Sequence, residues 1–222
     1  MKIKAIIFGS TGMIGQAVLL ECLENNEVET VLVINRHSCN KKHLKLKEII
    51  HYNLFDLTSL TKELTGYNTC FYCLGKTSVI ISENEYLRIT YELTIHAASI
   101  LLKINKDFTF CYISGAKADS SENSKIMQLR VKGKTENALL AMPFKKAYMF
   151  RPGYIQPMQG IKSRSTLTIF FYAIFKPMYF ILKHFKSFVT NTNILGKAMI
   201  NALLNNYEGN ILESKDINRM GK

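Results

Sequence analysis

Apolar residues fall in short dense runs along this chain, and the stretches between them follow a different period. "KAIIFG" is a β-branched run closed by glycine and predicts a buried strand. "MIGQAVLLECLENN" then places Ile14, Val18, Leu19, Cys22 and Leu23 at helical spacing. "ETVLVINR", "KEIIHYNL" and "NTCFYCLG" predict strands two to four, "FTFCYISG" the fifth and "KAYMFRPGYI" the sixth. A long amphipathic helix, "ENEYLRITYELTIHAASILLK", precedes the fifth strand, and a helix over residues 121–142 follows it.

The strands read as near-continuous hydrophobic runs without clean alternation, which is what burial on both faces demands. Alternation of such strands with helices predicts an α/β fold, a doubly wound parallel sheet. Ligands on such sheets bind beyond the carboxyl ends of the strands. The chain changes character after Gly160. "TLTIFFYAIFKPMYFILKHF" is apolar and aromatic, but Lys176-Pro177 breaks it, and its longest apolar run is about ten residues, half of a membrane span. It predicts two short helices packed on the core or lying at an interface. "NTNILGKAMINALLNN" predicts a last helix, capped by Asn191 or Asn193, and "GNILESKDI" a short strand or tail. The expected organisation is a core over residues 1–157 and a small helical C-terminal region over 158–222, within one domain overall.

At 47% hydrophobic and 21% charged over 222 residues, the chain has an ordinary globular composition and is not disordered. Its net charge of +12 is unevenly spread: 14 of the 17 acids precede residue 137. No acid lies between Glu136 and Glu208, where nine cations do. Such a field attracts an anionic ligand, an anionic membrane surface or nucleic acid. Nucleic acid fits poorly, because the aromatics cluster with aliphatics and do not alternate with arginines. The remaining readings are an amphiphilic anionic substrate, peripheral contact with lipid through "FFYAIFKPMYFILKHFK", or a plain solvated rim. Five cysteines, an odd number, sit mostly in apolar runs and read as reduced thiols. Cys70 and Cys73 have the spacing of a metal or redox pair, but residues three apart on a strand face opposite ways. The opening run is too short for a signal peptide, so a cytoplasmic protein is expected.

"FGSTGMIG" sets Gly9, Gly12 and Gly15 between a strand and a helix, where a pyrophosphate can approach bare amides at a helix N-terminus. Gly9 permits the turn, Gly12 the close approach and Gly15 the packing of helix on strand. Ser10 and Thr11 add hydroxyls, with Met13 and Ile14 opening the helix. The second strand ends in Asn35 and Arg36 without an acid, with Lys41 and Lys42 nearby. A carboxylate there would select NAD, whereas a guanidinium suits a 2′-phosphate, so NADP is expected over NAD. Asp56 and Leu57 after the third strand and Leu74 and Gly75 after the fourth fall near the adenosine. Asp56 reads equally as a helix cap.

"GSTGMIG", "NR", "CLG", "ISGA", "VKGKTEN", "FRPGYI" and "LGKAMI" occur in the order used by the short-chain dehydrogenase/reductase superfamily, which this chain resembles over nearly its whole length. It is most similar to the atypical NAD(P)-binding proteins of the Tat-interacting-protein and NAD-dependent epimerase-like kind. The resemblance implies a serine that orients a substrate carbonyl or hydroxyl, matched by Ser114. It implies a lysine that holds the nicotinamide ribose, matched by Lys132. It also implies a tyrosine four residues before that lysine, where this chain has Gln128. Glutamine does not ionise and is no general acid. Tyr154, after Arg151, is the leading substitute, with Tyr86, Tyr91, Lys117 and Asp119 as others. Pro152 and Gly153 are expected to give backbone contacts over the cofactor. Mid-helix Gly133 costs about 1 kcal/mol against alanine and implies a close approach there.

Two function classes follow. One is an NADP-dependent oxidoreductase or epimerase on a small-molecule or amphiphilic anionic substrate. The other is a catalytically silent NADP(H)-binding sensor acting through a partner or membrane surface. Monomer and homodimer both fit.

Overall fold

The computed structural model describes residues 2–75, 81–158, 160–161 and 187–222. The first strand, β1 (Ile3–Phe8), leads into α1 (Met13–Glu24). β2 (Val28–Asn35), β3 (Leu46–Ile50) and a 3-10 turn over Thr58–Leu60 follow, running into the short α2 (Thr61–Leu64). β4 (Thr69–Tyr72) precedes α3 (Glu83–Leu87), a wide π turn over Arg88–Glu92, and α4 (Leu93–Ile104). Then come β5 (Thr109–Ile113), α5 (Met127–Ala141) and β6 (Lys146–Arg151). The chain closes with β7 (Tyr154–Gln156), β8 (Val189–Asn191), α6 (Thr192–Leu204), β9 (Ile211–Glu213) and α7 (Ser214–Met220).

Seven parallel strands form the main sheet in the order β3-β2-β1-β4-β5-β6-β9. Strand order reverses at the β1–β4 pair, so a crevice opens beyond the carboxyl ends of these two strands. Successive side chains of β1 serve opposite cores. Ala5 and Ile7 pack with Val18, Leu19, Leu195 and Ala198 under α1 and α6. Ile6 and Phe8 pack with Tyr72, Leu93, Phe110 and Leu139 under α4 and α5. Fully burying a side chain the size of Ile or Phe contributes about 1.5–3 kcal/mol, which is why Ile6, Ile7 and Phe8 are apolar. Cys70 faces the second core and Cys73 the first, as strand alternation requires of residues three apart.

The doubly wound sheet is as the apolar pattern predicts, with three local differences. "GNILESKDI" supplies a seventh core strand, since Ile211 pairs with Met149 and Leu212 with Phe150. "KAYMFRPGYI" is two strands: Pro152 has no N–H to continue the ladder, and Tyr154–Gln156 pairs instead with β8. The helix expected from residue 121 begins at Met127. Ahead of it, the Asp119 carboxylate accepts from the amides of Ser121, Asn123 and Ser124, and such side-chain bonding competes with helix formation. Asn191 caps α6, accepting from the Ile194 amide at 2.9 Å. The two helices expected from "TLTIFFYAIFKPMYFILKHF" lie outside the described residues.

Candidate functional site

The glycine loop joins β1 to α1 at the crevice. Gly9 has φ of +80°, a conformation that side-chain-bearing residues rarely adopt. A Cβ there would also sit 2.9 Å from the Cys73 carbonyl. The Gly12 amide donates to the Gly9 carbonyl at 3.0 Å and closes the turn. A Cβ on Gly15 would lie 2.0 Å from that same oxygen, so only glycine lets α1 start this close to β1. No side chain caps α1. Its first-turn amides at Met13 and Ile14 and the positive end of its dipole are thus left for a ligand at the crevice.

Beside the loop, a polar network orders the end of β2. Ser10 Oγ donates to Asn35 Oδ1 at 2.9 Å, and Asn35 Nδ2 donates to Glu48 Oε1 at 2.8 Å. Glu48 also accepts from Ser38 Oγ at 2.6 Å and from the Cys39 amide at 2.8 Å. Desolvation opposes the charge on Glu48, but these donors outweigh it and hold its carboxyl below the usual range. Asn35 is therefore the buried hub of this network, 3% exposed. Arg36 is exposed beyond it. A cleft of about 240 Å³ lies between α1 and this loop, lined among others by Ser10, Thr11, Ser38, Asn40 and Lys41. Glu48 escaped sequence reasoning because it lies in a neighbouring strand, opposite Val33 in register. Its one signal was a lone acid within "LKEII".

The remaining polar groups gather where β5 ends. Ser114 is 3% exposed, and its Oγ is buried without a hydrogen-bond partner. An orphaned buried hydroxyl costs about 1–3 kcal/mol unless something supplies a partner. Lys132, on α5, donates from Nζ to the Ser114 carbonyl at 2.5 Å. A Cβ on Gly115 would stand 2.9 Å from that ammonium, so the glycine leaves it room. Burial, only partly offset by Glu136 one turn away, pushes the Lys132 pKa down to about 8. Glu136 is itself fully buried and held by Arg151: Nε donates to it at 3.0 Å and Nη2 pairs with its second oxygen. Arg151 further reaches Glu213 Oε1 at 3.3 Å and Ser120 Oγ at 2.9 Å. Gln128, half-buried, lies in the first turn of α5 one turn before Lys132.

Comparison with known proteins fits this geometry. Residues 5–125 match the model of the NAD dependent epimerase/dehydratase family, more than half of the chain. This chain belongs to that family. Protein FMP52, mitochondrial, of Meyerozyma guilliermondii is 27% identical over 156 residues, covering 68% of this chain and 65% of the relative. Protein HTATIP2 of Rattus norvegicus is 26% identical over 153 residues, covering 67% of this chain and 61% of the relative. The chain thus aligns with somewhat less than two thirds of the length of these two relatives. Among solved structures, Helicobacter pylori ADP-L-glycero-D-manno-heptose-6-epimerase superposes with a TM-score of 0.64 at 12% identity, covering 91% of this chain and 74% of that one. MoeE5 in complex with UDP-glucose and NAD gives 0.67 at 14% identity, covering 98% and 80%. At such identities the superpositions establish a shared fold.

Several other expected site residues of this epimerase/dehydratase-family chain have definite structural tasks. Asp56 is exposed and caps the 3-10 turn, accepting from Thr58 Oγ1 at 2.5 Å and from the Thr58 amide at 3.2 Å. Those bonds hold its carboxyl below the usual range. The Leu57 side chain is fully buried in the core. Leu74 and Gly75 follow β4 at the crevice, and the Leu74 amide packs against Gly9. The Pro152 carbonyl accepts from the Ala116 amide at 2.9 Å, tying the β5 and β6 loops together. Gly153 is needed for packing, since a Cβ there would lie 2.3 Å from the Phe188 carbonyl. Tyr154 opens β7 and donates from its hydroxyl to Gln156 Oε1 at 2.8 Å. The close approach at Gly133 is the protein's own: a Cβ there would fall 1.7 Å from the Asp119 carbonyl. Among the described residues, no helix is long and apolar enough to cross a membrane.

Proposed function

We propose that this chain binds a nicotinamide dinucleotide and uses it as an oxidoreductase or epimerase acting on a small or amphiphilic anionic substrate. The buried Ser114 hydroxyl with no partner carries this reading, because it lies beside a desolvated lysine at the end of β5. The chain's residues fit the dinucleotide. Gly9, Gly12 and Gly15 leave room for pyrophosphate at the uncapped N-terminus of α1, where the Met13 and Ile14 amides open the helix. Lys132 would hold the nicotinamide ribose, and Ser114 Oγ would orient a substrate oxygen. Bound there, the dinucleotide supplies a hydride acceptor or donor.

NADP is favoured over NAD. The acid nearest the end of β2, Glu48, is turned inward onto Asn35, Ser38 and Cys39, leaving Arg36 and Lys41 to meet a 2′-phosphate beside the cleft. The five free thiols suit a reducing compartment such as the cytoplasm, whereas the fungal relative is named mitochondrial. The basic, aromatic stretch between Gly160 and Phe188 is where we place contact with an amphiphilic anion or an anionic lipid surface.

Titrating NADPH and NADH into the protein, then following NADPH oxidation against a carbonyl panel in wild type and Ser114→Ala, tests the reading. Wild-type turnover that Ser114→Ala abolishes supports it. Gln128 favours a second reading, a sensor that binds dinucleotide without chemistry, because glutamine cannot supply the proton a phenol would. Tight NADPH binding with no turnover, together with a large gain in Gln128→Tyr, would favour that reading instead.

A further inference from the structure

The residue one turn before Lys132 cannot ionise, yet a carbonyl reduced in this crevice must receive a proton. Among the described residues around the end of β5 the candidates are few. Asp119 is turned into its own loop by the amides of Ser121, Asn123 and Ser124. The Tyr154 hydroxyl is engaged as a hydrogen-bond donor to Gln156 Oε1. Tyr86 is 2% exposed on α3, and burial raises its pKa above the ordinary phenol value. Lys132 remains. Its Nζ lies 2.5 Å from the carbonyl of the same Ser114 whose side-chain hydroxyl has no partner. The ammonium is thus fixed on the backbone of the residue whose own hydroxyl is left unpartnered. Gly115 leaves the ammonium room, since a Cβ there would stand 2.9 Å from Nζ.

We infer that Lys132 is the proton-transfer residue of this site, giving its proton to a substrate carbonyl oxygen hydrogen-bonded to Ser114 Oγ. The inference rests on the oxidoreductase reading above. The balance is complete. The C=O π bond breaks as a hydride from a reduced nicotinamide dinucleotide forms the new C–H bond, and the dinucleotide is oxidised. One ammonium N–H bond breaks as the product O–H bond forms, and the neutral amine regains its proton from water.

The electrostatics suit the role. A lysine at its ordinary pKa of about 10.4 holds its proton too firmly near neutrality, whereas one near the working pH gives and recovers it readily. Lys132, at about 8, is in that range because burial desolvates its ammonium, and among the described residues it forms no ion pair of its own. Glu136, the acid nearest on the same helix, raises that pKa somewhat but is committed to Arg151. Around it, Arg130 is engaged by Glu83, and Lys134 lies over the Tyr91 ring at 4.8 Å. Lys117 and Asp119 belong to the loop ahead of α5, and Asp119 satisfies its own turn.

Competitive acetylation of the protein by acetic anhydride, from about pH 6 to about pH 11, reads the Lys132 amine by mass spectrometry without any turnover. The expected midpoint is near 8, against about 10.4 for surface lysines, and saturating NADPH should protect the amine. The companion measurement is NADPH-dependent reduction of butanal, octanal and phenanthrenequinone. The rate should fall as pH rises through 8, because the ammonium is the active form. Lys132→Arg keeps the positive charge but cannot release a proton. It should bind NADPH within about ten-fold of wild type while losing roughly 100-fold or more in turnover, the scale of general acid catalysis. Lys132→Met, should arginine not fit, must lose turnover equally. A labelling midpoint near that of surface lysines, a pH-independent rate, or normal turnover by either variant overturns the inference while leaving the oxidoreductase reading in place. NADPH binding without reduction of any probe overturns both the inference and the enzyme reading. Absence of NADPH binding removes the dinucleotide site itself.

Discussion

Lys132→Met should make the protein more stable at neutral pH. Burial lowers the pKa of the wild-type ammonium from an ordinary 10.5 to about 8. At about 1.4 kcal/mol per unit, keeping this lysine charged in the fold costs about 3 kcal/mol. Methionine has a similar length and no charge to desolvate. It leaves the Ser114 carbonyl without its donor, a loss of about 1 kcal/mol, so the net gain is about 2 kcal/mol. The pH dependence carries a sign. Between pH 8 and 10.5 the unfolded chain holds the proton while the folded one has released it, so wild-type stability rises with pH across that window. The advantage of Lys132→Met is therefore largest below pH 8 and shrinks toward pH 10.5. Urea denaturation of both proteins at pH 7 and pH 10 measures it. A methionine variant less stable than wild type at pH 7, or a difference that ignores pH, would refute the assignment of a desolvated ammonium.

Three further outcomes follow from the same structure. Gly133→Ala places a methyl 1.7 Å from the Asp119 carbonyl; despite alanine's better helix propensity, thermal melts should show a net loss of about 2 kcal/mol. Glu136→Gln removes the buried carboxylate from Arg151 and leaves the guanidinium only the longer, partly exposed ion pair with Glu213, and urea denaturation should report a loss of about 3 kcal/mol. The double variant Arg36→Ala with Lys41→Ala should weaken NADPH binding by about ten-fold or more in a fluorescence titration and leave NADH nearly unchanged.

Much of this architecture is legible in the sequence because burial on both sheet faces leaves an unmistakable print. The runs Ala5–Phe8 and Val31–Ile34 are buried throughout, and no solvated strand could carry them. The glycine loop is legible for a local reason: Gly9 takes a positive φ and Gly15 packs on the Gly9 carbonyl, although the Cys73 backbone that also crowds Gly9 comes from the end of a distant strand. What could not be read depends on partners distant in the chain. Gly133 signals a close approach but not what approaches, and the answer, Asp119, is visible only when the loop ahead of α5 is folded back on it. Asn35 reads from the sequence as part of the cofactor site, and only the fold shows its side chain bonded to Glu48 of the next strand. Ser114 and Lys132 are found by their order in the chain, but the orphaned hydroxyl and the lowered pKa are products of burial. Arg151 shows the converse. Its place in "FRPG" suggests a cofactor loop, and the fold commits it to Glu136, Glu213 and Ser120.

Isothermal titration of NADPH into the wild-type protein and into Gly15→Ala tests the central claim most directly. A Cβ at that position would stand 2.0 Å from the Gly9 carbonyl and displace the loop. The account predicts one-site binding of NADPH by wild type, weaker binding of NADH, and loss of both in a Gly15→Ala protein that remains folded. No heat with either dinucleotide, or unchanged binding in Gly15→Ala, would contradict it.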